Sequence, residues 1–175
     1  MPVAATGTKK QHPAPQRARR RTRSVPVCFM IWHFFGRKIG NMQDADPLHT
    51  PSPYDLIGGE PVVRKLVDRF YDLMDEDPDF FGIRQLHPAT LGGSRDKLFK
   101  FLMGWLGGPP LYEQEFGHPR LRARHLPYAI ASAERDQWTA CMMRAMADVG
   151  LEENLRKRLA QSFFQTADWM RNTEE

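Results

Sequence analysis

The residues best placed to do chemistry are His118 and His125, seven positions apart, with Pro119 and three arginines (Arg120, Arg122 and Arg124) between them. A lone histidine is most often a hydrogen-bonded group at the edge of a core, and that explanation of His125 stays open. Two histidines on one helix face could also hold a metal such as zinc. Pro119 places His118 ahead of any helix, however, and no third ligand is indicated, so zinc fits poorly. A large flat cofactor bound through one axial histidine demands less. It needs one imidazole, an apolar aromatic slot, and basic residues at the rim to meet its carboxylates. Residues of all three types are present. Paired catalytic carboxylates and a Ser/His/Asp order are not visible as motifs. The double glycines Gly58-Gly59 and Gly107-Gly108 lack the following Lys-Ser/Thr of a phosphate-binding loop. No residue is assigned a catalytic role.

Whatever holds these histidines is helical. Val63, Leu66, Val67, Phe70, Tyr71 and Met74 repeat at the spacing of one buried helix face. Gly58-Gly59 marks a tight connection before them, and Asp77-Pro78 ends the run. A second helix is expected from near Ser94, with Leu98, Phe101, Leu102 and Trp105 inward and Gly107-Gly108-Pro109-Pro110 as its stop. A short segment follows, with Pro119 in its first turn and Leu121, His125 and Tyr128 on one side. Ser132 is the expected N-cap of a helix carrying Trp138, Cys141, Met142, Ala145, Met146 and Val149, with Gly150 as its stop. Leu151, Leu155, Leu159, Phe163, Ala167 and Met170 mark the last helix. No segment alternates as a half-buried strand does, so the fold class is all-α.

Charge divides the 175 residues in two. Residues 1–40 hold nine basic residues and no acidic ones, which leaves 25 − 9 = 16 basic against 21 acidic residues in 41–175, a balance of −5. Residues 1–52 are expected to be a basic, disordered leader and linker, residues 53–172 one domain, and 173–175 a tail. Basic residues before the apolar stretch Val25–Phe35 resemble an export signal, but no small-residue cleavage site follows. A nucleic-acid-binding arm or a solvated tail would explain Arg17–Arg23 equally, and translation could begin at Met42. Cys28 and Cys141 form no disulfide framework, and no apolar run reaches the roughly 18 residues of a membrane span. A cytoplasmic protein is expected, with no nucleic acid bound by the domain and no membrane association.

The run Gly117-His118-Pro119-Arg120-Leu121-Arg122-Ala123-Arg124-His125-Leu126-Pro127 closely resembles the proximal-histidine segment of the group II truncated haemoglobins. Gly107–Tyr112 before it, Glu134–Trp138 after it, and Tyr54–Gly59 with Arg69-Phe70-Tyr71 match the same family in order and spacing. The resemblance covers about residues 53–172. It implies a truncated globin, a two-over-two helical sandwich around haem b, with His125 as the axial iron ligand. It further implies a distal, ligand-facing group of Tyr71, His87, Trp138, Ser94 and Leu98. Phe70, Phe99, Tyr112 and Tyr128 are implied as haem-pocket residues, and Arg124 as the partner of a propionate, with Arg120 and Arg122 weaker candidates. At the position of His87 many members carry Phe or Tyr, and the link from Asp77 to Leu86 is longer than in some.

The function so implied is binding of oxygen and other diatomic ligands, with release slowed by hydrogen bonds from Tyr71, His87 and Trp138. The alternative is a haem enzyme using bound oxygen or peroxide, as a nitric oxide dioxygenase or with peroxidase-like activity. That function would need a reductase. The protein is expected to be a monomer or homodimer.

Overall fold

The computed structural model describes residues 50–174. Helix α1 (Pro53–Ile57) opens with a reciprocal cap: the Asp55 N–H donates to Ser52 Oγ at 3.2 Å and the Ser52 N–H to Asp55 Oδ2 at 2.9 Å. Gly58, at φ 103°, ends α1 and admits the chain directly into α2 (Gly59–Glu76). The face expected from spacing is the buried one: Val63, Leu66, Val67 and Phe70 have no exposure. A 3-10 turn (Pro78–Phe80) and α3 (Phe81–Gln85) follow, then α4 (Gly92–Trp105), α5 (Leu111–Phe116), α6 (Leu121–His125), α7 (Ser132–Asp148) and α8 (Glu153–Met170). The described residues contain no strand.

The four long helices make the body. Helix α7 packs on α8, and α2 packs on both α7 and α4. Trp105 of α4 stacks on Phe163 of α8, with ring centroids 4.7 Å apart and planes 15° from parallel. This is the two-over-two helical sandwich. One core of α2, α4, α7 and α8 side chains includes Phe70, Leu102, Met142 and Phe163. Residues 1–49 of the expected leader and linker, which was given as 1–52, lie outside the described residues.

Local boundaries differ from the expectations in four places. Helix α4 starts at Gly92, two residues before Ser94, so Ser94 is a helical residue and not its start. Helix α7 includes Ser132 in its first turn. Ala131 precedes it, and the Glu134 carboxylate reaches back to the Ala131 N–H at 2.8 Å, supplying the cap that Ser132 was expected to give. Pro119 lies outside α6, because Arg120 takes left-handed angles (φ 45°, ψ 45°) between them. Helix α6 then ends at His125, so Tyr128 shares no helix with it. The stretch after Asp77 buries Phe80 and Ile83 and is mostly helical.

Candidate functional site

The histidine segment begins with backbone under strain. Arg120 is the non-glycine residue at positive φ among those described, a conformation costing roughly 1–2 kcal/mol. The Arg120 N–H donates to His118 Nδ1 at 3.1 Å. His118 is therefore a turn-closing acceptor, exposed, and not a second ligand. One turn further on, His125 is half-buried with Nδ1 2.7 Å from the Leu121 carbonyl oxygen. A carbonyl only accepts, so Nδ1 carries the proton and the neutral ring keeps its lone pair on Nε2. An imidazole whose second nitrogen is fixed by a carbonyl suits metal ligation, because its tautomer and plane are both set. Among the described residues no group of three or more His, Cys, Asp and Glu side chains gathers as a metal site. The donor set thus fits a cofactor that brings its own equatorial ligands and asks one histidine of the protein.

A second cluster descends from α2 and α7. Phe70, fully buried, touches Tyr71 edge-on with centroids 5.1 Å apart and Trp138 at 5.4 Å. Tyr71 meets the His87 ring at 5.7 Å, also edge-on, and Trp138 meets Phe163 at 5.8 Å. With the Trp105–Phe163 stack, aromatic contacts run unbroken from His87 to Trp105. Burial raises the Tyr71 phenol pKa above its ordinary value, while the Ser94 side chain, hydrogen-bonded to it, and the Arg95 charge oppose the rise. Tyr71 consequently remains an O–H donor. The half-buried Trp138 has no protein acceptor for its indole N–H among the described residues.

His87 is different from what its sequence position implied. Its Nδ1 lies 2.8 Å from the Ile83 carbonyl, so the neutral ring spends its one N–H there and presents Nε2 as an acceptor. Burial is the main cause that lowers its pKa below 6.5. The Ile83 carbonyl acts against that, and the Arg84 and His125 charges add to it.

The remaining expected residues are spread. Leu98 is half-buried against the core, as are Phe101 and Trp105. Tyr112 is buried between Phe101 (6.3 Å, edge-on) and Phe116 (5.0 Å). Phe99 has the Arg64 guanidinium 3.3 Å over its ring centroid, so one ring face is already covered by protein. Tyr128 is 43% exposed. Arg124 is exposed and donates through Nε to the Pro119 carbonyl at 3.0 Å, which leaves its terminal nitrogens for another acceptor. Arg122 does not face outward as a rim residue would: it donates to the carbonyls of Trp169 and Arg171. Sequence reasoning did not single out Gln137, whose Oε1 accepts the Ile83 N–H at 3.1 Å and ties α3 to the turn before Trp138. No periodicity marks such a residue. Trp105 and Phe163, by contrast, were visible on apolar faces but carried no sign of their mutual stack.

Comparison with known proteins gives the family of this fold. The family model for bacterial-like globins matches residues 52–172. The group 2 truncated haemoglobin YjbI of Bacillus subtilis is 42% identical over 124 residues, covering 71% of this chain and 91% of that protein. The group II 2-on-2 haemoglobin of the plant pathogen Agrobacterium tumefaciens superposes with a TM-score of 0.70 at 42% identity, over 74% of this chain and all of that one. A truncated oxygen-avid haemoglobin structure from Bacillus subtilis superposes with a TM-score of 0.64 at 42% identity, over 70% of this chain and 100% of its own. A two-over-two helical frame and these matches over residues 52–172 place the chain in the bacterial-like globin family as a group II truncated haemoglobin.

Proposed function

We propose that the protein binds oxygen reversibly at the iron of haem b, with His125 Nε2 as the axial ligand and Tyr71 and Trp138 as the donors that retain the gas. When bound, ferrous haem would supply an iron able to bind a diatomic ligand, and His125 would hold it. The observation that carries the proposal is the His125 ring itself, with Nδ1 committed to the Leu121 carbonyl and Nε2 left bare. Haem b is the cofactor of this family, and the Bacillus subtilis relative is described as oxygen-avid. Leu98, Phe101 and Trp105 supply the dry wall, with the buried Tyr112 packed on Phe101 and the exposed Tyr128 at the outer edge. Arg124 offers its terminal nitrogens to a propionate. Ser94 orients the Tyr71 hydroxyl, whose O–H and the Trp138 N–H would point charge-stabilising hydrogens at the ligand. His87 in its neutral form adds an acceptor, able to take a hydrogen bond from water.

Visible absorption of the purified protein tests this directly. An intense band at the violet edge is expected, and His125→Gly should abolish the histidine-ligated spectrum. An unchanged axial ligation in that variant would overturn the assignment.

Two donors make release slow, which suits chemistry on the ligand better than delivery. The second function is therefore nitric oxide dioxygenation, in which oxygen, nitric oxide and one electron from a reductant become nitrate. Sustained nitrate production on mixing the oxygenated protein with nitric oxide and a reductant would support it. A single stoichiometric oxidation would leave the protein a binder.

A further inference from the structure

We infer that Asn172, assisted by Arg122, is a positioning residue for the axial histidine: the end of the chain clamps the His125 segment and sets how the imidazole is presented. The inference rests on His125 being the iron ligand. Helix α6 has only five residues, none of them buried, and opens on a left-handed arginine. A single turn of helix is not stable alone, because fixing it yields too few hydrogen bonds for the conformational freedom lost. Pro127 stands two residues beyond it and removes a further backbone donor. Something else must hold the segment.

That support comes from the chain beyond α8. Asn172 Nδ2 donates to the His125 carbonyl at 3.0 Å and to the Tyr128 carbonyl at 2.9 Å. Its Oδ1 accepts the Ile130 N–H at 3.1 Å. The Asn172 backbone N–H donates to the Ile130 carbonyl at 3.0 Å. Two carbonyl partners on one side of the amide and an N–H on the other leave a single consistent orientation for the side chain. Bonds also run the opposite way, since the Arg122 guanidinium donates to the Trp169 and Arg171 carbonyls. Every one of these contacts joins the His125–Ile130 stretch or its preceding turn to the last turn of α8 and the two residues after it. Helix α8 is itself fixed in the core by Leu159, Phe163 and Met170. The load path is therefore core, α8, Asn172, His125 carbonyl, His125 ring. An asparagine that merely closed a helix end would need one of these bonds; this one spans three residues and pins the carbonyl of the ligand residue itself.

Resonance Raman of the ferrous, ligand-free, full-length holoprotein reads the iron–histidine stretching band, which reports imidazole placement and not overall stability. Asn172→Ala and Asn172→Asp should both move this band by several wavenumbers. Both should also speed haem transfer to excess apomyoglobin several-fold. Asn172→Asp keeps size and the acceptor for Ile130 but sets an oxygen against the two carbonyls. Thr173→Ala, which retains every backbone bond, should leave band and transfer rate unchanged. Should neither Asn172 variant fold, Arg122→Met, which keeps the apolar stem, should shift the band in its place. A band at the wild-type position in the folded Asn172 variants overturns the clamp while leaving His125 as ligand. Absence of the band from the wild-type protein overturns the axial assignment and the clamp with it.

Discussion

A phenol and an indole respond differently to burial, and this decides how Tyr71 and Trp138 can be used. Burial pushes the Tyr71 ionisation upward, so it stays a donor at any physiological pH, and Trp138 has no ionisation to lose. Replacing either by phenylalanine keeps the ring contacts with Phe70 and removes one donor. Oxygen dissociation should quicken in Tyr71→Phe and in Trp138→Phe by about 1–3 kcal/mol each, roughly five- to hundredfold. Stopped-flow displacement measures it, and unchanged rates in both would refute the donor role. His87 should show itself through pH. Its folded-state pKa lies below the ordinary 6.5, chiefly through burial, so the unfolded chain takes up the proton first on acidification. Its contribution to stability is complete above 6.5 and is lost as pH falls below that value, at no more than about 1.4 kcal/mol per pH unit. Urea midpoints of wild type and His87→Phe, compared from about pH 7 to pH 5, should converge on this account, with the wild type losing more. Spacing placed Tyr71 and Trp138 on apolar helix faces, and only the family resemblance implied the roles of Tyr71, Trp138 and His125. The tautomer of His87 was not legible in the sequence, because it depends on the Ile83 carbonyl turning toward the ring only once α3 has formed.

Among the elements, the long helices were readable and the short ones were not. Helices α2, α7 and α8 each repeat apolar residues over about three turns or more, so their inner faces follow from periodicity. Helices α3, α5 and α6 have five or six residues each, too few for a period to emerge. Their stability comes from elsewhere: α3 from Gln137 at the start of α7, and α6 from the chain end. The α4–α5 corner offers a test of such tertiary support. A Cβ on Gly108 would fall 2.7 Å from the Tyr54 ring. That ring cannot swing away freely, since its hydroxyl accepts the Glu60 N–H at 3.1 Å and the Tyr54 N–H donates to the Leu106 carbonyl at 2.9 Å. Gly108→Ala should destabilise the protein by about 1–3 kcal/mol, seen as a lower Tm, with the visible spectrum retained. An unaltered Tm would mean that the corner is looser than these contacts imply.

For the molecule as a whole, the core behaves as one unit, and Cys141 reports on it. Its thiol is fully buried, donates to the Phe70 carbonyl at 3.4 Å, and has a pKa pushed up to about 12, mainly by burial and secondarily by the Asp77 charge. The reactive thiolate is therefore absent unless the α2–α7 contact opens. Iodoacetamide should leave Cys141 unmodified in the native protein and alkylate it in denaturant, with peptide mapping separating it from Cys28. Native labelling at the denatured rate would show that the core opens locally. None of the helices among the described residues is long and apolar enough to cross a membrane. The helical class and the inner faces of the long helices were determined by the sequence alone, because periodicity and residue type are local properties. Which nitrogen His87 exposes, that Arg122 turns back to α8, and that Asn172 binds the His125 carbonyl were decided only by tertiary structure. Each is a hydrogen bond whose partner is brought near by the folding of another element, and for Asn172 that partner lies 47 positions away in the chain.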